Sequence, residues 1–188
     1  MKLVWVLLPL LLSILPIASH ALKPKGPLKV MTPGALCNVR DRWFRHLLLG
    51  RIPICLRHVT RKQKDRVARQ YKPFLHGVTG TRLNGSEWEF DHLIPLALGG
   101  SNSLANIWPQ KRDAVWREKR ELTRALADNL RRLVRESRQM QNSTVDTRTV
   151  WIDSIKSILA VVNRGYNLTG NARFDVDPLL MTVPAGFL

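Results

Sequence analysis

At 188 residues and 21.5 kDa the chain has the length of one domain, long enough to bury a core and small enough to gain from a covalent staple. Thirty Lys and Arg stand against 14 Asp and Glu, a formal charge of +16. That imbalance says nothing of fold, but it predicts polyanionic partners: nucleic acid first, anionic membrane or wall polymers second. No internal repeat or low-complexity tract stands out.

Met1-Lys2 is followed by an apolar run broken by Pro9 and Pro16, then by Ser19-His20-Ala21. The pattern predicts a signal peptide over residues 1–21, cut after Ala21, and a secreted or periplasmic product. An uncleaved anchor is the alternative; after cleavage no stable membrane span remains. The cut leaves 29 basic residues against 14 acidic, or +15. Residues 22–36, rich in Pro and Gly, read as an extended lead-in. Cys37 and Cys55 are the only cysteines, an even pair in a chain bound for an oxidising space, and predict a disulfide. Closing that loop would stabilise the fold by ~3 kcal/mol. A two-cysteine metal site is the alternative, without the C-x-x-C spacing such sites prefer. Residues 39–50 are expected to form a short helix ending at Gly50, and Ile52-Pro53-Ile54-Cys55 an edge strand or tether.

Residues 57–72 carry Arg57, Arg61, Lys62, Lys64, Arg66, Arg69 and Lys72 against one acid, Asp65. Thr60 is placed to cap a helix over 60–72 whose apolar side is Val67 and Tyr71. Its cations Lys62, Lys64, Arg66 and Arg69 suit a nucleic-acid backbone, or equally a solvated face. His58 and His76 are read as ordinary polar residues.

The segment 87–110, EWEFDHLIPLALGGSNSLANIWPQ, begins with strand alternation from Glu87 to Asp91. His92 follows Asp91 directly. Pro95, Gly99-Gly100 and Ser-Asn-Ser then require a wide loop, in which the glycines serve backbone geometry. Asn106 closes the loop, Ile107-Trp108 starts a second short strand, and Pro109 is expected to end the pairing for want of an N–H. A helix follows, with Val115, Leu122, Leu126, Leu130 and Leu133 on its core stripe and Arg112, Arg117, Arg120, Arg124, Arg131, Arg132 and Arg135 opposite. Gln141-Asn142-Ser143 breaks it. Trp151, Ile155, Ile158, Leu159 and Val162 mark another helix that stops near Gly165. Residues 166–188 are expected to lie along the surface or fray.

The run Asp91-His92-Leu93-Ile94-Pro95-Leu96, Leu98-Gly99-Gly100, Asn102 and Asn106-Ile107-Trp108-Pro109-Gln110 resembles the HNH (ββα-metal) endonucleases, in their small bacterial secreted branch. The resemblance covers 24 of the 188 residues closely. It implies an α+β, predominantly helical fold with a ββα-metal (HNH) hairpin-plus-helix core, flanking helices and one disulfide. The layout that follows is a nuclease domain at 22–165, with a disulfide region 37–55, basic helix 60–72, core 87–127, helices 128–163 and a tail 166–188.

By the same resemblance His92 is the general base, Asp91 a metal ligand, and Asn106 the residue that fixes the loop and orients the base. Asn106 can instead be a plain loop residue with Asx-type hydrogen bonds. Glu89 matches an acid often found two residues before the family's Asp, tying the strand to an Arg or standing behind the metal. The family's third motif residue would fall at position 115, which is Val115, and no histidine follows His92. Asp113 is the first choice for the missing ligand, ahead of Glu118 or Gln110, although a first-turn Asp is also an ordinary helix-dipole partner. Lys111 and Arg112 are placed to hold a neighbouring phosphate.

The expected activity is metal-dependent hydrolysis of DNA (RNA possible) with little sequence specificity, leaving 5′-phosphate and 3′-hydroxyl ends. A divalent ion, Mg²⁺ or Mn²⁺ before Zn²⁺, is the expected cofactor, with no small-molecule cofactor and a monomeric chain. Two other readings are a catalytically degenerate nucleic-acid-binding protein and an antibacterial nuclease effector.

Overall fold

The computed structural model describes residues 26–48, 52–75, 83, 85–139 and 146–176. The expected signal peptide, Gly50, His76, the 141–143 break and residues 177–188 lie outside them. Among the described residues the fold is α+β, with three helices, two two-stranded antiparallel sheets and one disulfide. None of those helices is long and apolar enough to cross a membrane.

The first sheet pairs β1 (Phe44–Leu48) with β2 (Ile52–Cys55), in register Leu48↔Ile52 to Phe44↔Cys55 with an irregularity between Phe44 and His46. The helix expected over 39–50 is therefore not formed. A segment this short is a marginal helix alone. Here the apolar Ile52–Cys55 partner and the Cys37–Cys55 bridge (Cα–Cα 5.8 Å) hold it extended. The disulfide is formed as expected, so its sulfurs are closed to a metal. Asp41, the third member of the one group with metal-like spacing among the described residues, accepts the Asn38 N–H instead.

Helix α1 (Arg61–Tyr71) begins where its cap predicts. Thr60 accepts from Gln63 N, and Gln63 returns a bond to the Thr60 backbone, a reciprocal capping box. Val67 and Tyr71 are buried and face the second sheet.

That sheet pairs β3 (Trp88–His92) with β4 (Ile107–Lys111). Pro109 does not end the pairing, which runs on to Trp88↔Lys111. Leu93 N donates to Asn106 O and Arg112 N to Glu87 O, both at 2.8 Å. Hydrogen-bonded pairs therefore fall at the odd positions of β3. Phe90↔Pro109 is a non-hydrogen-bonded pair, where the missing N–H costs nothing.

The loop between the strands is folded inward: Leu93, Ile94 and Leu98 are fully buried. Gly99 turns it with φ +85°. At Gly100 a Cβ would lie 1.9 Å from Ile94 O, so no larger residue fits without displacing backbone.

Helix α2 (Ala114–Gln139) follows β4, and α3 (Thr147–Gly165) packs against it. Trp151, Ile155, Ile158, Leu159 and Val162 are all buried, as their spacing predicts, and Trp151 Nε1 donates to Leu98 O at 2.9 Å. The α2 stripe is shifted. Its buried line is Lys119, Ala127, Leu130 and Val134, with Leu122 and Leu126 at the margin. Val115 meets the end of α3: a Cβ on Gly165 would stand 2.6 Å from its Cγ2. The tail is not all surface either, since Phe174 and Val176 are buried and Asn163 bonds both backbone groups of Phe174.

Candidate active site

The end of β3, the loop at Pro95–Ala97 and one side of α2 enclose a cleft of about 500 Å³, which Arg57 also enters. Glu89, Asp91 and His92 line it, and so do Arg112, Trp116, Lys119, Arg120, Thr123 and Arg124. Neighbouring strand residues point to opposite faces. Asp91 and His92 share the cleft because β3 ends at His92 and the chain turns there. Five cationic side chains against two carboxylates make the cleft an anion site.

His92 is 2% exposed. Burial pushes its pKa down to about 4, helped by Arg57 and Lys119 and opposed by Asp91 and the Asn102 hydrogen bond. The ring is neutral at pH 7. Its Nε2 lies 3.3 Å from Asn102 Oδ1. The amide of Asn102 has one possible orientation, because Oδ1 accepts from His58 N (3.0 Å) and Nδ2 donates to Leu56 O (2.7 Å). An oxygen facing Nε2 requires the proton on Nε2, so Nδ1 carries the lone pair.

Asn106, fully buried, directs its side-chain hydrogen bonds to the loop rather than to the imidazole. Oδ1 accepts from Ile94 N (2.9 Å), and Nδ2 donates to Ile94 O (3.0 Å) and Ser101 O (2.9 Å). It therefore clamps the loop, while Asn102 holds the imidazole, so loop clamping and ring positioning fall on two different asparagines.

Asp91, 23% exposed, meets Lys119 Nζ at 2.5 Å from Oδ2. The same ammonium donates to His92 O at 2.5 Å. Burial alone would raise the Asp91 carboxyl; the Lys119 charge and hydrogen bond overcome it and hold the pKa below the ordinary carboxylate range. Glu89 lies 3.6 Å from Arg57 and 3.8 Å from Arg112, which ties the strand to arginine. Arg57 also donates to Phe90 O at 3.2 Å. The Trp116 ring carries the Arg112 and Arg120 guanidiniums at 5.7 and 5.0 Å, a cation–π support for two cleft walls.

Asp113 is not brought into the cleft. Its Oδ1 accepts from Trp116 N at 3.0 Å at the start of α2, and its charge helps burial raise the Tyr166 hydroxyl. Glu118 pairs with Arg164, and the Gln110 amide donates to Tyr166. Lys62, Lys64, Arg66 and Arg69 are exposed on α1 and do not line the cleft; Lys111 is exposed at the end of β4.

Arg57, Asn102, Arg120 and Arg124, named in the sequence only for their charge or as part of the run, therefore join the site, and so do Trp116 and Lys119, which had not been named. For Lys119 a signal existed. It stands three and seven residues before Leu122 and Leu126, a cation on an apolar stripe, which demands an internal partner.

As arranged, these donors do not fit a divalent-ion centre: Asp91 already holds an ammonium and Asp113 caps a helix. No family model, curated protein or solved structure matches the chain.

Proposed function

We propose that the chain is an HNH-type nuclease that hydrolyses phosphodiester bonds of DNA with little sequence specificity. The observation that carries this reading is a buried imidazole, its Nε2 3.3 Å from Asn102 Oδ1, on the wall of an arginine-lined cleft. The consecutive order β3, β4, α2 and the Asp91-His92…Asn106 run support the family assignment.

Attack of water on phosphorus needs a base and a means to neutralise charge gathering on the phosphoryl oxygens. His92 Nδ1 takes the water proton as the P–O bond forms. Arg57, Arg112, Arg120 and Arg124 supply forked donors suited to phosphate oxygens. The 3′ oxygen departs and is protonated from solvent, leaving 5′-phosphate and 3′-hydroxyl ends. No base-reading motif stands out in the sequence, in keeping with low sequence preference. The Cys37–Cys55 bridge supports a secreted or periplasmic setting.

A second reading, a cationic nucleic-acid-binding protein without turnover, draws on the Asp91–Lys119 pair, which occupies Asp91 Oδ2 with an ammonium. Plasmid nicking by the oxidised chain and its His92→Gln variant separates the two. The hydrolase reading expects nicking that His92→Gln slows by about 10²–10⁴-fold. Binding with no nicking selects the other.

A further inference from the structure

We infer that the cation serving the Asp91 carboxylate is the ammonium of Lys119, built into the fold, and that the cleft works without a divalent metal at that position. The inference deepens the hydrolase reading and rests on it only for the step that is catalysed.

Asp91 Oδ2 and His92 O are a carboxylate and a carbonyl oxygen, the hard donors that Mg²⁺ or Mn²⁺ would take. Both are directed at one point, and that point is Lys119 Nζ, 2.5 Å from each. An ion bound to the same two oxygens at about 2.0–2.6 Å would be pressed against a like charge. Lys119 is committed to that pair of oxygens. Its side chain is 2% exposed, and moving it off the pair would strand an ammonium inside the protein.

The remaining acids near the cleft are also spoken for. Glu89 sits between Arg57 and Arg112, Asp113 caps α2, and Glu118 holds Arg164. Among the described residues no second carboxylate stands ready to complete a metal shell beside Asp91. The charge a metal would contribute is supplied instead by the lysine and by the guanidiniums around it.

Manganese titration of the ¹⁵N-labelled oxidised chain tests this without relying on turnover. At equimolar Mn²⁺ the amide signals of Asp91, His92 and Leu93 are expected to keep their intensity. In Lys119→Met, which removes the charge and keeps the stem, the same signals are expected to be lost. Selective loss of those signals in the wild type overturns the inference, and this arm decides even if the variant does not fold. Nicking is run in parallel with EDTA and with Mg²⁺. Equal rates are expected, and strict dependence on added metal also overturns the inference. No nicking in either, with the wild-type amide signals intact, retires the hydrolase reading and leaves the Lys119 assignment standing.

Discussion

Asn102 sets the tautomer of His92. Its Oδ1 stands 3.3 Å from the imidazole Nε2, and its amide is locked by His58 N and Leu56 O on the strand-to-helix connection. The imidazole therefore depends on a side chain that joins two parts of the fold.

Replacing Asn102 should separate positioning from folding. Asn102→Ala leaves the His58 N–H and Leu56 C=O without their partner, at a cost of about 1–3 kcal/mol each if they stay dry. Asn102→Asp keeps the acceptor and adds a charge that favours imidazolium. The expected outcome for Asn102→Asp is a pH–rate profile whose acid limb moves up from about 4. An unmoved limb would show that Asn102 does not control the ring.

Stability should fall with acid in a window set by the same ring. The folded His92 pKa is about 4, below the ordinary value of about 6.5. Between those values the unfolded chain binds a proton that the folded chain does not, so stability rises with pH across the window. Asp91, held below its ordinary range, adds loss of the same sign at still lower pH. Denaturant unfolding is expected to show the wild type less stable by roughly 2 kcal/mol at pH 5 than at pH 7.5. His92→Gln should flatten most of that difference.

Reduction of Cys37–Cys55 should reach the site as well as the fold. The bridge holds Cys55, next to Leu56, whose carbonyl receives the Asn102 amide. Removing it should lower stability by ~3 kcal/mol. The His92 ring resonances should shift in the reduced protein while it is still folded.

Gly100 should tolerate nothing larger. A Cβ there would meet Ile94 O at 1.9 Å, and Asn106 Nδ2 at 2.9 Å, inside the clamp that shapes the loop. Gly100→Ala is expected to lose more than about 3 kcal/mol or fail to fold, a cost typical of backbone displacement in a packed interior. Thermal unfolding beside Gly85→Ala, where the added Cβ meets nothing within 4 Å, provides the control.

Much of this arrangement could be read from local pattern. Thr60 and Gln63 announce a capped helix, the α3 apolar spacing fixes its buried face, and the Asp91-His92…Asn106 run marks the hairpin. What escaped was decided by distant partners. Phe44–Leu48 became a strand because β2 and the disulfide were there to pair with it. Pro109 stayed in its ladder because register put its nitrogen on the unbonded side. Lys119 lies 28 residues from the acid it neutralises, and Arg57 lies 33 from the Phe90 carbonyl it binds. No local period encodes those pairings.

The most direct test of the central claim is plasmid nicking by oxidised wild type and His92→Gln, with folding of both checked by circular dichroism. The account predicts nicked and linear product from the wild type and a loss of about 10²–10⁴-fold in the variant. Intact plasmid with the folded wild type, or equal nicking by the two proteins, would contradict it.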